Sequence, residues 1–498
     1  MKVLYACSEL FPLLKTGGLA DVSAALPPAL QQAGCDVRVL LPGFPAILAG
    51  VKNLAISSQA SWALPSGYGP QLPTNAAVRI VHAELPNGLR CYVLDAPACF
   101  DRPGNPYLNA QGDAWPDNAQ RFALFSWAAA CLGRGLDNLW QPDILHCHDW
   151  HTGLAPLYVS LPQCSESSES SRAASVFTIH NLAYQGLFPA EVFATLGLAD
   201  DLFGIDGIEF YHQVSFMKAG LQFADRITTV SPSYAREILT HEQGSGLEGV
   251  LRSRSAVLSG ILNGVDYLVW NPAHDAVLRQ TFDWRSSGRK KHAKTQLQTL
   301  MGLQPRADTL VLGVVSRLTE QKGLHLLAAV LEDVVGQGAQ LALIGGGDPA
   351  IEQAFVEAAK KYPGQVAVRI GYDESLAHSI IAGADVVVVP SRFEPCGLTQ
   401  LYGLRYGTLP LVRRIGGLAD TVVDASPEHL LDDTACGVVF DDFSVDGLRA
   451  ALQRTQSLYA QPAVWKTVQK RAMQLRFDWR VAAEQYLALY TSLKPDAA

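Results

Sequence analysis

The fold is decided near the start of the chain, by residues 2–41, KVLYACSELFPLLKTGGLADVSAALPPALQQAGCDVRVLL. Lys2–Ala6 is a short apolar run that predicts a buried strand, and Ala20–Gly34 predicts a helix. Asp36–Leu41 predicts a second buried strand. A strand, a helix and another buried strand in succession favour a parallel sheet that is covered by helices on both faces.

The same alternation continues along the first half of the chain and restarts in the second half. Further strands are predicted at Asp143–His146, Ser175–Ile179, Arg226–Val230, Leu310–Ser316, Gln340–Ile344, Val366–Ile370 and Asp385–Val389. Gly323–Gly336 predicts a helix of the second half, and Trp479–Leu493 an amphipathic helix near the end. We therefore predict an α/β protein of two Rossmann-like doubly wound domains that face a deep cleft.

The length of 498 residues supports two domains, because single hydrophobic cores stop growing at about 250–300 residues. The junction is predicted near Leu262–Asn271, which gives domains of residues 1–262 and 263–475. Ligands of open α/β sheets lie at the carboxyl ends of the strands. We therefore expect the site in the cleft between the two domains.

Charge and cysteine usage narrow the class of protein. The net charge of −8 argues against nucleic acid or an anionic membrane as the main partner. The nine cysteines are scattered without a C-x-x-C pair, which favours reduced thiols and a cytoplasmic location. The first strand begins at Lys2 and leaves no room for a signal peptide. Cys164–Ser171 is polar and of low complexity, so we expect an exposed, mobile loop there.

Lys15-Thr16-Gly17-Gly18-Leu19-Ala20-Asp21 joins the first strand to the first helix. Two glycines before a helix allow a ligand to approach the backbone, and the unpaired N–H groups of a first helical turn favour an anion. Lys15 adds a mobile positive charge. A plain turn with a solvated lysine is the alternative, and the segment matches neither the dinucleotide fingerprint nor the P-loop.

Two further segments follow buried strands of the second half. Arg317 and Lys322 flank a short loop, where both could bind one diphosphate; a surface ion pair is the alternative. Glu394 lies between an aromatic residue and a proline, where it could accept hydrogen bonds from sugar hydroxyls. Gly397-Leu398-Thr399 would then open a helix whose N–H groups bind phosphate. The alternative for Glu394 is a structural ion pair.

His146-Cys147-His148-Asp149-Trp150-His151 resembles a metal site at first sight. No further ligand stands out, so hydrogen-bonded histidines are the favoured interpretation, and no metal is predicted. The chain contains no D-x-D, the kind of carboxylate cluster that would hold a diphosphate through Mg²⁺. Arg317 and Lys322 would replace that metal. His180, taken alone, is more typical of a core or turn histidine than of a catalytic one.

Together these segments resemble the glycogen and starch synthase family, over nearly the whole chain. The matching stretches are Lys15–Val22, Asp101–Leu108, Trp115–Phe125, His148–Leu154, His180–Gly186, Ile261–Pro272, Ser316–Gly323, Glu394–Gly407 and Gly416–Asp420. The resemblance implies the two-Rossmann-domain architecture called GT-B, with the acceptor on the first domain and the nucleotide-sugar on the second. It also implies that residues 476–498 form a helix that packs back on the first domain.

The resemblance implies transfer of glucose from ADP-glucose to the 4-hydroxyl of an α-1,4-glucan such as glycogen, with retained configuration and without metal or other cofactor. By position, the diphosphate contacts are Lys15, Gly18, Arg317 and Lys322, while Glu394 binds sugar hydroxyls and Tyr372 stacks on adenine. Cys396, Gly397, Leu398 and Thr399 line the sugar and phosphate, His180 and Asn263 lie near the glucosyl group, and Asp21 and Asp149 lie near the reaction centre. Tyr402 stands where the wider superfamily often has a second glutamate.

Three alternatives remain open from the sequence. A related transferase could use UDP-glucose or a small-sugar acceptor, since the pocket shape and not the phosphate cations selects the base. A sugar-nucleotide sensor without catalysis would be expected to lose Arg317, Lys322 or Glu394, and all three are present. A dehydrogenase is disfavoured because no G-x-G-x-x-G follows the first strand.

Overall fold

The computed structural model describes residues 1–55, 61–63, 69–71, 77–161 and 172–494. The polar stretch Cys164–Ser171 lies outside the described residues. Contacts between residues divide the chain into two units, which are Met1–Gly264 with Trp479–Ala498, and Val265–Asp478. Each unit has its own buried apolar core.

The first unit is built on a large sheet that is parallel over most of its width. Its strands are β1 Lys2–Ala6, β2 Asp36–Pro42, β3 Lys52–Ala55, β4 Ser61–Ala63, β5 Arg79–Glu84, β6 Arg90–Asp95, β7 Ile144–His148, β8 Ala174–Ile179, β12 Arg226–Thr229 and β13 Leu258–Gly260. The strands β9 to β11 form a separate sheet, which is described below. The order in the large sheet is β13-β12-β8-β7-β1-β2-β6-β5-β3, with β4 also paired to β5. From β13 to β6 all neighbours are parallel.

One edge of this sheet differs from the all-parallel prediction. β5 pairs antiparallel with β6, β3 and β4. β5 and β6 are joined by Leu85-Pro86-Asn87-Gly88-Leu89, and Gly88 has φ +85°. An Asn-Gly pair between two strands is a strong hairpin signal, because these residues tolerate the positive φ of a tight turn. A separate antiparallel sheet of the same unit consists of β9 Leu187–Pro189, β10 Glu209–Phe210 and β11 Gln213–Ser215.

Helices cover the first sheet. They are α1 Gly18–Gln32, α2 Pro45–Gly50, α3 Pro97–Phe100, α4 Asn118–Gly133, α5 Ala155–Ser160, α6 Phe216–Phe223, α7 Pro232–Glu237, α8 Glu248–Ser253 and, from the C-terminus, α19 Trp479–Leu493. α19 packs against α1 and buries Tyr486 and Tyr490 in the core of the first unit. α1 begins at Gly18, two residues before the predicted start.

The second unit has a fully parallel sheet of six strands. They are β14 Val311–Val315, β15 Gln340–Gly345, β16 Val366–Ile370, β17 Val386–Val389, β18 Leu409–Arg413 and β19 Val438–Phe440. The order β16-β15-β14-β17-β18-β19 is that of a Rossmann sheet. The helices are α9 Lys290–Met301, α10 Leu324–Ala329, α11 Leu331–Gly336, α12 Pro349–Lys361, α13 Glu374–Gly383, α14 Thr399–Tyr406, α15 Gly416–Thr421, α16 Pro427–Leu431, α17 Val445–Tyr459 and α18 Pro462–Gln474.

One helix prediction of the second unit is wrong in detail. The segment from 323 to 336 contains two short helices, α10 and α11, and not one. Val330 separates them with φ −99° and ψ 2°, outside the helical region.

In the described part of the chain, no helix is long and apolar enough to cross a membrane.

Candidate active site

The second unit places its functional loops where the strand order reverses. β14 lies between β15 and β17, so the chain proceeds from β14 to one side of the sheet and later returns to the other side. The loops that follow β14 and β17 therefore diverge at the carboxyl edge of the sheet and leave a crevice, which is the usual ligand site of such folds. Lys322 lies in the first of these loops and Glu394 in the second.

Lys322 and Glu394 form a close ion pair across this crevice. The Lys322 Nζ atom is 2.8 Å from Oε1 and 2.6 Å from Oε2 of Glu394. The Ser391 hydroxyl donates to Oε2 at 2.7 Å and fixes the carboxylate from its own loop. The Glu394 side chain is 7% exposed and that of Lys322 is 18% exposed. The structure thus brings together two residues that the sequence assigned to one site.

Two glycines allow the backbone of these loops to pack closely. Gly323 has φ +66°, and a Cβ atom there would lie 2.0 Å from the carbonyl oxygen of Pro390. Gly416 has φ +47°, and a Cβ atom there would lie 2.0 Å from the carbonyl oxygen of Glu394. Any side chain at these positions would displace the loop that carries Glu394.

The helix α14 begins directly after the Glu394 loop, as predicted. The N–H groups of a first helical turn have no acceptor within the helix, so they are suited to an anion. Gln400 is buried and donates from Nε2 to the carbonyl oxygens of Cys396 at 3.0 Å and Gly397 at 2.8 Å. Cys396 is buried, whereas Gly397, Leu398 and Thr399 are partly exposed.

The two other predicted residues of this unit are exposed. Arg317 follows β14 on the same loop as Lys322, five residues earlier. Tyr372 follows β16 at the same edge of the sheet and is 64% exposed. Both positions are accessible to a ligand.

The first unit has a corresponding reversal between β1 and β7, which are neighbours in its sheet. Asp149 directly follows β7 and has φ 57° and ψ −178°. This conformation is close to a region that only glycine occupies readily, and it costs about 1–3 kcal/mol. The Asp149 Oδ1 atom accepts the backbone N–H of His180 at 2.7 Å and that of Asn181 at 3.4 Å. Asp149 therefore binds the backbone at the end of the neighbouring strand β8.

The surroundings of Asp149 favour its protonated form. Burial raises the pKa of Asp149 to about 7, although the backbone N–H groups of His180 and Asn181 act in the opposite direction. The nearby Glu9 carboxylate raises this pKa further. A carboxyl group that titrates near neutral pH is suited to proton transfer or to sensing a charge in the site.

Glu9 is the main residue of this site that the sequence interpretation missed. It is 3% exposed, and its carboxylate accepts the backbone N–H groups of Thr16 at 2.6 Å and Gly17 at 3.2 Å. The hydroxyls of Thr16 and Tyr107 donate to Oε1 at 2.5 Å and 2.7 Å. The N–H groups of Thr16 and Gly17, just before α1, are therefore already paired with a protein carboxylate, and the anion contact predicted for the first turn of α1 stays a prediction.

Lys15, Asp21 and Gly18 lie beside this segment. The Lys15 Nζ atom is 2.8 Å from Oδ1 of Asp21, and both side chains are about one-fifth exposed, at 20% and 21%. Gly18 is exposed at the first position of α1. Asn263 belongs to a different segment of the same unit, which follows β13, and it is buried there.

Two histidines of the HCHDWH segment, His146 and His148, take part in side-chain hydrogen bonds. His146 Nε2 is 2.7 Å from the Thr178 hydroxyl, and its Nδ1 is 2.7 Å from the Tyr490 hydroxyl of α19. His148 Nδ1 is 2.9 Å from His180 Nε2. His151 stacks on Tyr107 with ring centroids 4.6 Å apart. Among the described residues, no group of three or more His, Cys, Asp or Glu is arranged to hold a metal ion.

Comparison with known proteins decides the family. Residues 2–253 match a family model described as "Starch synthase catalytic domain", and residues 302–467 match one described as "Glycosyl transferases group 1". A glycogen synthase of Albidiferax ferrireducens is 59% identical, with both chains covered over 100% of their length. This chain belongs to the starch and glycogen synthase family. As a member of that family, it is a retaining glycosyltransferase.

Two further members of the family agree with this assignment, and a third protein shares only the fold. A glycogen synthase of Francisella philomiragia is 52% identical over 99% of this chain and 100% of its own. The catalytic domain of starch synthase IV from Arabidopsis thaliana, solved with ADP and acarbose, has a TM-score of 0.87 and 33% identity, with 99% of each chain covered. Sucrose-phosphate synthase from Thermosynechococcus elongatus shares the fold alone, at a TM-score of 0.60 and 17% identity over 99% of each chain.

Proposed function

We propose that this chain transfers glucose from ADP-glucose to the 4-hydroxyl at the non-reducing end of an α-1,4-glucan. The observation that carries the proposal is the Lys322–Glu394 pair in the crevice between the loops after β14 and β17. It sets a cation for phosphate beside a fixed carboxylate for sugar hydroxyls. The similar starch synthase IV domain binds ADP in its solved structure, which supports an adenine nucleotide as the donor.

We assign the donor to the second unit. Lys322 and Arg317 bind the diphosphate, and the segment from Gly397 to Thr399, which leads into α14, supplies N–H groups to the same anion. Glu394 accepts hydrogen bonds from the glucosyl hydroxyls, while Cys396 lines the sugar. Tyr372 presents an exposed aromatic face on which adenine can stack.

We assign the acceptor and further contacts of the transferred sugar to the first unit. His180 contacts the glucosyl group, Asn263 lies near it, and Asp149 lies near the reaction centre. Lys15 and Gly18 contact the diphosphate, and Asp21 lies near the reaction centre. The strained backbone of Asp149 supports this assignment, because such strain persists where the surrounding structure fixes a residue for a function.

The reaction separates charge, and the basic residues stabilise that charge. As the bond from glucose C1 to the diphosphate oxygen breaks, negative charge grows on the leaving ADP, which Arg317 and Lys322 stabilise. The acceptor oxygen bonds to C1 on the same face, which retains the configuration. Its proton passes to the departing phosphate oxygen, so the products are the extended glucan and ADP. In this scheme the protein cations take the place of a divalent metal.

We also propose a cytoplasmic location. The eight cysteines in the described residues are all free and buried, which is consistent with a reducing compartment. Glycogen, or a shorter α-1,4-glucan, is the proposed macromolecular partner, without nucleic acid or membrane.

The proposal is tested by incorporation of labelled glucose into glycogen, with ADP-glucose and UDP-glucose side by side. We expect ADP-glucose to be the better donor, and we expect EDTA to leave the rate unchanged. Faster transfer from UDP-glucose would overturn the donor assignment. Loss of activity in EDTA that Mg²⁺ restores would overturn the metal-independent scheme.

Substitution of the phosphate-binding residues tests the site itself. We expect Lys322→Ala or Arg317→Ala to lower kcat at least about a hundredfold, since loss of one donor to a developing anion costs about 3 kcal/mol. Lys360→Ala, which changes an exposed lysine of α12, is the matched control and should leave kcat unaltered. Near-normal rates in a folded Arg317→Ala/Lys322→Ala double variant would refute the role of these cations.

A further inference from the structure

His148 is a buried histidine of the first unit for which the proposed reaction has no role. It is the last residue of β7, and its register partner on β8 is Thr178, two residues before His180. Its Nδ1 atom lies 2.9 Å from His180 Nε2, which is within hydrogen-bond distance. The rings of Tyr5 and His146 lie 4.0 Å and 4.1 Å from its ring centroid, so its orientation is fixed by packing.

A hydrogen bond between these two rings requires one N–H group and one bare nitrogen. Burial lowers the pKa of His180 to about 3 and that of His148 well below its ordinary value, so both rings are neutral at pH 7. A neutral imidazole carries a single N–H. Either His148 donates from Nδ1 to His180 Nε2, or His180 donates from Nε2 to His148 Nδ1.

The second nitrogen of His148 decides between these arrangements. Within the described part of the chain, His148 Nε2 is buried and has no hydrogen-bond partner. If His180 were the donor, the single hydrogen of His148 would lie on this Nε2 as a buried N–H without an acceptor. Such a group costs about 1–3 kcal/mol, and orphaned N–H groups are rarer in proteins than under-satisfied acceptors. His148 therefore carries its hydrogen on Nδ1.

We propose that His148 is a positioning residue, which donates from Nδ1 to His180 Nε2 and thereby holds His180 in the neutral Nδ1–H tautomer. The lone pair of His180 Nε2 is then occupied by a protein donor. His180, which is a partly exposed residue, offers the substrate a hydrogen-bond donor at Nδ1 and no basic nitrogen. Its partner is consequently an acceptor oxygen of the transferred sugar. This last step rests on the proposed function, in which His180 contacts the glucosyl group.

The tautomer can be measured directly in the unmodified protein. With ¹⁵N-labelled histidine, two-bond ¹⁵N–¹H correlation spectra distinguish Nδ1–H from Nε2–H imidazole, and His180→Asn identifies the His180 signals by their loss. We expect the Nδ1–H pattern for His180 in the wild-type protein. An Nε2–H pattern would overturn the proposal, whatever the enzyme transfers and even if no variant of His148 folds.

Kinetics test whether His148 acts through His180. His148→Phe keeps a ring between Tyr5 and His146 but removes the donor, and we expect kcat with ADP-glucose to fall at least tenfold while KM changes less than twofold. His148→Asn, which retains an N–H near the Nδ1 position, should recover at least half of the wild-type kcat. In a His180→Ala background, His148→Phe should have no further effect.

The outcomes distinguish the positioning role of His148 from the proposed function of the chain. An equal loss from His148→Phe with and without His180 would show a merely structural role and overturn the positioning proposal. Absence of transfer from ADP-glucose by the wild-type protein would overturn the proposed function, while the tautomer measurement would still decide the role of His148.

Discussion

At the scale of the residue, Asp149 should reduce the stability of the folded protein. Its backbone is strained, its carboxylate is buried, and it lies in the site assigned to catalysis. Folding raises its pKa from 3.8 to about 7, so the folded state binds its proton more tightly than the unfolded chain does. Ionisation of Asp149 therefore weakens the fold progressively as pH rises from about 3.8 to about 7, and no further loss occurs above that range.

We expect Asp149→Asn to remove this penalty while it impairs the reaction. The quantity to compare is the free energy of unfolding of the variant minus that of the wild type. This difference should be roughly 2–3 kcal/mol larger at pH 8 than at pH 5. Its kcat should fall at least about a hundredfold, the equivalent of about 3 kcal/mol. Urea unfolding at both pH values gives the first quantity. Asp201→Asn, at an exposed aspartate, is the control, and an equal gain at both pH values in Asp149→Asn would contradict the expectation.

At the scale of the element, α19 supplies a polar contact to the sheet of the first unit as well as apolar area. The buried Tyr490 hydroxyl is 2.7 Å from His146 Nδ1, and His146 Nε2 is in turn 2.7 Å from the Thr178 hydroxyl on β8. Burial lowers the pKa of His146 to about 3, so this network is neutral at pH 7. A neutral, fully paired network of this kind loses stability when any member is removed.

Tyr490→Phe should therefore destabilise the first unit by about 1–3 kcal/mol, because it leaves a buried ring nitrogen without its partner. Hydrogen exchange of the β7 and β8 amides should become faster in the variant, and the urea midpoint of the first unit should fall. Tyr211→Phe removes the same atom from a tyrosine that is 75% exposed, and it should change neither quantity. Identical behaviour of the two variants would show that the contact with His146 contributes nothing.

The elements also show what the sequence can and cannot predict. β1 and α19 have the bounds expected from apolar periodicity, because each buries one clear apolar run or face. The loops after β14 and β17 carry Lys322 and Glu394 to one crevice, as the rule for doubly wound sheets requires. The antiparallel β5 was missed, although its Asn87-Gly88 turn is a local signal that could have found it.

Glu9 and His148 could not be assigned from the sequence for a different reason. Each forms hydrogen bonds with residues that lie later in the sequence and that the fold brings close. The separation is seven or eight residues for Glu9 and 32 residues for His148. Nothing in the local composition distinguishes Glu9 from a solvated carboxylate. Its position three residues after the end of β1, at the carboxyl edge of a parallel sheet, is the only signal available.

At the scale of the whole molecule, the second unit has the features of an independently folding body. It has its own apolar core and its own six-stranded sheet. Its two ends lie together, since the Val265 N–H donates to the Phe477 carbonyl at 2.7 Å and the Phe477 N–H donates to the Tyr267 hydroxyl at 2.8 Å. Adjacent ends are typical of domains that tolerate excision, because few contacts are cut.

We expect the excised segment Val265–Asp478 to fold and to bind ADP, but to transfer no glucose, because Asp149 and His180 belong to the other unit. Lys322→Ala in the excised segment should weaken ADP binding at least tenfold in calorimetry, whereas Lys360→Ala should not. A well-folded segment that fails to bind ADP, while the full chain does bind it, would refute the assignment of the donor to this unit. An unfolded segment would instead show that the core of the second unit depends on the rest of the chain. The adjacent chain ends of this unit and its separate sheet argue against that outcome.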